Sequence, residues 1–271
     1  MRGPLKANAL IGCVLVGLLL ATILLGLVWT PYDPIAIDLD HTLAPPSAAH
    51  WLGSDEFGRD VLSRAMLGAR ISGAIALGVV TIAVILGLAL GLTAGFLGGW
   101  VDRTIMIVND TLLAFPGILL ALALMAVLGA GVRSLILALA IAYLPSIIRV
   151  VRASALSVRQ REFIEASQVA GDSTLYTVLR HVLPNTLPPV IVLATSLFGW
   201  VILSESALSF LGVGVPPPAP TWGNMLSSAR PYMEYAAWLS WAPGLCIAAT
   251  LLGVNMLGDA LRDWLDPRGA A

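Results

Sequence analysis

Residues 159–184 read RQREFIEASQVAGDSTLYTVLRHVLP, and they are polar and charged although an apolar segment lies on each side. In a chain otherwise built for lipid, such a stretch has to face water, because charged groups at membrane depth are costly. The simplest reason to keep a water-facing loop there is that a soluble protein binds to it. We therefore predict that this loop is a docking site and that the apolar segments around it form its scaffold.

The local pattern of the loop predicts two helices joined by a glycine turn. Ser157 followed by Gln160 is a capping-box pattern, which predicts a short amphipathic helix over about residues 158–170. Gly171 is expected to end that helix, because glycine readily adopts the left-handed backbone conformation that closes helices. The second helix is predicted to begin at one of two caps, Asp172 or Ser173.

The composition places the chain in a membrane and excludes several classes of protein. Of its 271 residues, 58% are hydrophobic and 11% are charged, and the mean hydropathy of +0.89 is far too apolar for a soluble domain. The net charge of -1 argues against a nucleic-acid partner. Cys13 and Cys246 lack the spacing of a metal site or a disulfide framework. Lys6 is the only lysine, so a phosphate-binding loop of the form G-x-x-x-x-G-K-[ST] is absent, and any ATPase must be a partner chain.

Hydropathy predicts six membrane-spanning helices, with both ends of the chain inside. The runs are long enough to cross a hydrocarbon core of about 30 Å at about 1.5 Å per residue. A cleaved signal peptide is the alternative for the first run, but that run is longer than a typical apolar region of a signal and no A-x-A site follows it. The predicted spans are residues 7–29, 71–97, 104–129, 132–150, 187–211 and 236–257.

Charge predicts which side of the membrane each loop faces. Residues 30–70 contain six acids against three arginines, and a segment with few basic residues for its length is typical of the outside. Basic residues instead cluster in and beside the loop at 159–184, which places that loop inside. They are Arg149, Arg152, Arg159, Arg161 and Arg180.

Two segments are expected at the outer surface. Residues 59–69 predict an amphipathic helix along the interface, with Val61, Leu62 and Met66 toward lipid or protein. Residues 213–235 predict a stiff outer loop that either contacts a binding protein or anchors its tryptophans, such as Trp222, at the membrane border; we favour the anchor. The acids of the first segment do not match an EF-hand, so no metal site is predicted.

Glycine, proline and buried charge mark features inside the spans. Gly87, Gly91 and Gly95 form two G-x-x-x-G pairs, which let the second span approach a neighbour closely. Pro116 is expected to kink the third span, because proline removes a backbone donor and clashes with the preceding turn. An ionisable group within a span indicates a functional role by default. Two such groups are candidates for the pore or a gate: Asp110 and Glu205.

Their roles stay open between two alternatives each. Asp110 lies close enough to the inner surface to reach water or a partner arginine, so a structural role is favoured over a transport site. Glu205, at the outer part of the fifth span, either lines the substrate path or forms hydrogen bonds that hold an outer gate. A membrane hydrolase is not favoured, because the acids show no motif such as G-x-G-D or H-E-x-x-H.

The loop resembles the EAA loop of ABC-importer permeases, whose pattern is Glu-Ala-Ala, three residues, Gly, nine residues, Ile, one residue and Leu-Pro. Two positions depart from that pattern: Ser167 stands for the second Ala and His181 for the Ile. The basic pair before Leu-Pro-Asn is similar to the peptide and nickel branch, and in particular to the C-type permeases of dipeptide transporters. The strings at 51–60, 204–212 and 258–268 are similar to the same branch. The resemblance implies that the following residues couple the chain to an ATPase: Arg161, Glu162, Phe163, Glu165, Ala166, Ser167, Gly171, Leu183 and Pro184.

The resemblance also implies a complete transport complex. The expected fold is the type I ABC-importer permease fold, with a first unit at residues 1–70 and a permease core at residues 71–271 that contains the EAA loop at about 151–186. The chain is expected in a bacterial inner membrane, without catalysis, metal or cofactor of its own. Its expected partners are a homologous permease in a heterodimer, two ATP-binding subunits and an extracytoplasmic substrate-binding protein. The expected cargo is a di- or oligopeptide; the alternatives are nickel or a metal chelate and, as a different class, ion-coupled secondary transport.

Overall fold

The fold is helical, as predicted. A computed structural model describes residues 3–265, and within them the regular structure consists of helices and one isolated β-bridge between Ser54 and Asp60. The predicted inner charge at Arg2 and the end of the C-terminal tail at Pro267 and Arg268 lie outside the described residues. The α-helices of residues 3–265 are α1 (Gly3–Val28), α2 (Val61–Leu97), α3 (Gly99–Leu113), α4 (Gly117–Leu128), α5 (Val132–Arg159), α6 (Glu162–Val169), α7 (Thr174–Thr177), α8 (Leu183–Phe210), α9 (Trp222–Ala229) and α10 (Trp238–Leu265).

Within the described residues, five helices are long and apolar enough to cross a membrane. They are α1, α2, α5, α10 and the continuous helix Thr174–Phe210, in which α7 and α8 are joined by the π-helical turn Val178–Val182. Helices α3 and α4 meet the same test only together, and they bend by 91° at the break between them. Counted as one span, this pair gives the six predicted spans. The Arg159–Pro184 loop, called the EAA loop below, lies at one end of the bundle, and residues 30–60 lie at the opposite end.

The break between α3 and α4 confirms the predicted effect of Pro116. Helix α3 ends at Leu113, and α4 begins at Gly117 directly after the proline. Proline cannot donate a backbone hydrogen bond and disfavours a helical conformation in the residue before it. The chain therefore stops one helix and starts another, which turns the predicted kink into a change of direction.

Helices α2 and α5 form the most extensive contact of the bundle, and the glycines of α2 make it possible. A Cβ atom on Gly91 would lie 2.6 Å from Val151 Cβ, and one on Gly95 would lie 2.7 Å from Ala155 Cβ. Only a hydrogen atom fits in these gaps, so the two helix backbones approach closely along several turns. The predicted close packing through G-x-x-x-G pairs is confirmed, and α5 is the neighbour.

The predicted separate amphipathic helix at about residues 59–69 is wrong. Helix α2 begins at Val61 and continues without interruption to Leu97, through the division placed at residue 70. Asp60 caps it, since its carboxylate accepts a hydrogen bond from the Ser63 N–H at 2.8 Å. Val61 and Met66 are buried in protein rather than directed to lipid. The first turns of α2 alternate apolar and polar residues because residues 30–60 and α9, rather than lipid, cover them.

Residues 30–60 contain little regular structure and are held mainly by ion pairs and hydrogen bonds. The Asp55 carboxylate contacts Arg59 at 2.7 Å and Arg64 at 3.2 Å, and all three side chains are largely buried. The His50 ring contacts Asp60, the cap of α2, at 3.0 Å. This segment is therefore fastened to the start of α2 at the end of the bundle opposite the EAA loop.

Candidate coupling site

The first arm of the EAA loop is the short helix α6, and it begins later than predicted. Helix α5 runs through Ser157 to Arg159, so the predicted capping box at Ser157 is wrong. The backbone becomes extended at Arg161, and α6 starts at Glu162. Glu162 and Glu165 both lie in its first turn, where carboxylates interact favourably with the positive end of the helix dipole. The start of α6 is therefore marked by the carboxylates of its first turn and not by a serine cap.

Gly171 ends this arm as predicted, with a positive φ of +86°. Its N–H donates to the Gln168 carbonyl at 3.1 Å, and the Asp172 N–H donates to the Ser167 carbonyl at 3.2 Å. These two hydrogen bonds form a Schellman motif, which satisfies carbonyls at the end of a helix and needs a left-handed residue. The next helix starts at once, because the Ser173 hydroxyl accepts a hydrogen bond from Tyr176 N at 3.3 Å. Of the two predicted caps, Ser173 is the one used.

Most of helix α6 is exposed. Only Ile164 and Ser167 are buried, and these two face α7 and the spans. On the open side, Glu165 stands one helical turn from Val169, which is 89% exposed. Phe163, on another side of the helix, is 43% exposed. Uncovered apolar side chains on a water-facing loop are typical of a surface that another protein covers.

The second arm runs directly into a membrane span. Within it, Val178–Val182 form a π-helical turn immediately before Leu183 and Pro184. The proline lacks an N–H and would clash with the carbonyl four residues earlier, and a wider turn relieves that clash. The ring of His181 lies between the rings of Phe163 in α6 and Tyr176 in α7, with centroids 6.4 and 6.0 Å away. Aromatic contacts thus connect the two arms.

The EAA loop gathers all the residues predicted to couple the chain to an ATPase, whereas Asp110 and Glu205 lie elsewhere. Asp110 in α3 forms an ion pair with Arg149 of α5 at 2.8 Å, and both side chains are more than half exposed. It is therefore placed beside an arginine, as the structural alternative requires. A second link between the same helices was not predicted: Arg152 donates two hydrogen bonds to Asp102, one of them at 2.6 Å. The sequence feature that could have predicted this ion pair is that Arg152 and Asp102 each lie next to an apolar run.

Glu205 in α8 is fully buried and forms hydrogen bonds between helices. It accepts from Ser209 Oγ at 2.8 Å and from Ser72 Oγ of α2 at 3.2 Å. Ser72 Oγ in turn accepts from the Trp222 N–H at 3.3 Å, at the start of α9. We call Glu205, Ser209, Ser72 and Trp222 the outer brace, because they join α8, α2 and α9 at the end of the bundle opposite the EAA loop. The arrangement favours a hydrogen-bonding role over one as a lining group of a path.

The predicted anchoring of Trp222 at the membrane border is wrong. Its side chain is 2% exposed and its indole N–H donates to the Ala65 carbonyl at 3.0 Å. A Cβ atom on Gly68 would lie 3.0 Å from the Trp222 ring, so a glycine in α2 leaves room for the indole. Trp222 packs inside the protein because α9 folds back onto α2.

Replacing Glu205 with alanine is expected to lower the stability of the purified chain by about 2 kcal/mol or more, because two buried hydroxyl groups lose their acceptor. Thermal unfolding of the detergent-solubilised chain measures this loss. Ser206→Ala is the matched control, since the Ser206 hydroxyl bonds only to the Ile202 carbonyl of its own helix at 2.9 Å. Equal melting temperatures for the native chain and Glu205→Ala would contradict a bracing role.

The fold and the exposed loop together define a class: a polytopic α-helical permease of the membrane. The chain belongs to the family of binding-protein-dependent transport system inner membrane components, which matches residues 87–270. The inward-facing methionine ABC transporter MetNI has a similar fold, with a TM-score of 0.60 and 20% identity over 73% of this chain and 94% of its own. The predicted ABC-importer permease fold is thereby confirmed.

Relatives of high sequence identity cover nearly the whole chain. The dipeptide transport system permease protein DppC of Alkalihalophilus pseudofirmus is 41% identical over 97% of this chain and 88% of its own. The di/tripeptide transport system permease protein DppC of Pseudomonas aeruginosa is 46% identical over 88% of this chain and 80% of its own. The glutathione transport system permease protein GsiD of Escherichia coli is 44% identical over 88% of this chain and 79% of its own.

Proposed function

We propose that this chain is the permease subunit of an ATP-driven importer of di- or oligopeptides. The observation that carries the proposal is the exposed helix α6, which presents Glu165 beside the uncovered side chain of Val169 and joins a continuous helix through the Gly171 turn. The names of the relatives support peptide cargo, because they specify dipeptides, di/tripeptides and glutathione. Nickel or a metal chelate is not favoured, since these names specify none.

In the proposed mechanism, the ATP-binding partner acts on the permease through the EAA loop. An ATP-binding partner covers α6 and moves it when ATP brings two such partners together. The helix Thr174–Phe210 continues from the loop for 37 residues, or about 55 Å at about 1.5 Å per residue. It ends next to the outer brace. A displacement of α6 therefore tilts a continuous helix that reaches the opposite end of the bundle, and the pore alternates between its inward-facing and outward-facing states.

The proposed assembly and orientation rest on charge and on the family. The arginine cluster lies in and beside the EAA loop, and residues 30–60 contain six acids against one arginine, so we place the loop and both termini in the cytoplasm. The proposed partners are a homologous permease that completes the path as a heterodimer, two ATP-binding subunits and a substrate-binding protein outside. ATP hydrolysis belongs to those subunits, because this chain has no lysine beyond Lys6 for a phosphate-binding loop.

Reversing the charge of Glu165 tests the proposed contact with an ATPase. The native chain, solubilised gently with its neighbouring gene products expressed, is expected to bring an ATPase with it. Glu165→Arg is expected to lower ATPase recovery about 10-fold, the factor that corresponds to about 1.4 kcal/mol of binding free energy. Glu234→Arg is the matched control, because Glu234 is also exposed but lies between α9 and α10, away from the EAA loop.

Each alternative result has a separate meaning. Equal ATPase recovery with the native chain and Glu165→Arg would show that α6 is not the contact. No ATPase with the native chain would instead favour ion-coupled secondary transport. Uptake measured with ATP depleted and the ion gradient intact then distinguishes the two classes, because only a secondary transporter remains active.

A further inference from the structure

Ser167 makes contacts that the usual alanine of the EAA pattern could not make. It lies on the buried side of α6 and is 7% exposed. Its hydroxyl oxygen lies 2.7 Å from Asp172 Oδ2, beyond the Gly171 turn, and 3.1 Å from Thr177 Oγ1 in α7. Thr177 is itself 1% exposed. A departure from the family pattern thus coincides with a cluster of polar contacts between the two arms of the loop.

The direction of each hydrogen bond follows from the chemistry of the groups. A carboxylate only accepts, so the Ser167 hydroxyl must donate its one proton to Asp172. Ser167 Oγ can then only accept from Thr177, which completes a chain from Thr177 through Ser167 to Asp172. The backbone adds a parallel link, because the Asp172 N–H donates to the Ser167 carbonyl. Both sides of the glycine turn are therefore connected to one residue.

We infer that Ser167 is a positioning residue that fixes the angle of α6 against α7 through Thr177 and Asp172. This inference rests on the proposed function, in which a soluble ATPase displaces α6. Gly171 is a natural hinge, because glycine changes its backbone angles more easily than other residues and a Cβ atom built there would meet no neighbouring atom within 4 Å. Without a link across the turn, part of the displacement would bend the loop instead of tilting the helix that follows. With the link, α6 and α7 move together.

Spin labels measure this angle directly. In the full complex in nanodiscs, with Cys13 and Cys246 replaced by serine, labels at the exposed positions Gln168 and Leu179 report the distance between the arms. The native sequence is expected to give one narrow distance distribution. Ser167→Ala is expected to broaden it, and Ser167→Thr, which keeps the hydroxyl, is expected to restore it. An unchanged distribution in Ser167→Ala would overturn the inference.

The second measurement is transport per ATP hydrolysed, with radiolabelled dialanine as the probe in proteoliposomes that contain the whole complex and its binding protein. Ser167→Ala is expected to lower this ratio about fivefold, because the net contribution of one hydrogen bond is about 1 kcal/mol. Thr177→Val is expected to lower it equally, and the double variant no further, because both break the same chain. Ser157→Ala, at an exposed position in the last turns of α5, is the control.

The outcomes separate this inference from the proposed function. A native ratio in Ser167→Ala, with normal ATPase recovery, overturns the positioning role and leaves the ATPase contact intact. Purification of the native chain without any ATPase would contradict the proposed function. In that case the spin-label distances are measured on the full chain in nanodiscs without the ATPase, and they still decide whether the hydroxyl fixes the two arms.

Discussion

Replacing Gly171 with valine is expected to lower ATP-driven transport by at least about fivefold, because a β-branched residue held at positive φ costs about 1–3 kcal/mol. The residue has a φ of +86°, and a Cβ atom built there meets no neighbouring atom within 4 Å. The cost therefore falls on the turn and not on the packing of the bundle. We expect the variant to insert in the membrane in native amounts but to hold α6 at a different angle. Uptake by proteoliposomes measures the loss of transport, and ATPase recovery measures the effect of the altered α6 angle on the contact with the ATPase.

Two variants control for general damage. Gly171→Asn is expected to keep most activity, because asparagine tolerates the left-handed conformation better than other residues with a side chain. Gly129→Val introduces at least as much strain, because Gly129 has a φ of +81° and a ψ of 167°, a combination that essentially only glycine adopts. Its surroundings are equally open, but it lies between α4 and α5. The interpretation would fail if Gly171→Val transported normally, or if Gly129→Val lost transport to the same extent.

Replacing Gly91 with leucine is expected to prevent α2 from packing on α5, so that little folded chain is recovered from the membrane. A Cβ atom there would already lie 2.6 Å from Val151 Cβ and 3.0 Å from the Ile148 carbonyl oxygen. Neither atom is the free end of a flexible side chain, so the helices would have to separate. Overpacking of this kind typically costs about 1–3 kcal/mol for small additions and more for a whole side chain. Size-exclusion chromatography of the detergent-solubilised chain measures the folded fraction.

A comparison of two alanine variants tests the same contact with the smallest change. Alanine at Gly78 gains about 1 kcal/mol of helix propensity, and its methyl group would meet only the tip of Ile136, at 3.2 Å from Cδ1. We expect Gly78→Ala to be neutral or stabilising. Gly91→Ala has the same propensity gain but is expected to lower the melting temperature. A melting temperature at or above that of the native chain for Gly91→Ala would show that the contact is less tight than described.

Several local features of the chain, in the coupling site and elsewhere, were predictable because they depend on neighbours in sequence. The Gly171 turn, the Ser173 cap and the break at Pro116 all follow from backbone preferences of single residues. The start of α6 was not predictable in this way. Ser157 has a good capping pattern, yet α5 continues past it to Arg159, because the last turns of α5 pack against the end of α2 through Ala155.

The outer end shows the reverse case, in which local pattern misled. Residues 59–69 have the periodicity of an interfacial helix, and Trp222 has the setting of a membrane anchor. Both are buried, because α9 folds back and inserts the indole against Gly68 of α2. Periodicity shows that one side of a helix is apolar, but it does not show whether lipid or protein covers that side.

The sequence alone determined the membrane location, the approximate spans, the EAA loop and its glycine turn, because hydropathy and backbone preference act over a few residues. Tertiary structure decided which side chains form hydrogen bonds between helices, namely Glu205 with Ser72 and Ser167 with Thr177. These bonds form because close helix packing removes the groups from water and leaves them only each other as partners. No property of a single segment specifies which buried hydroxyl will face which carboxylate.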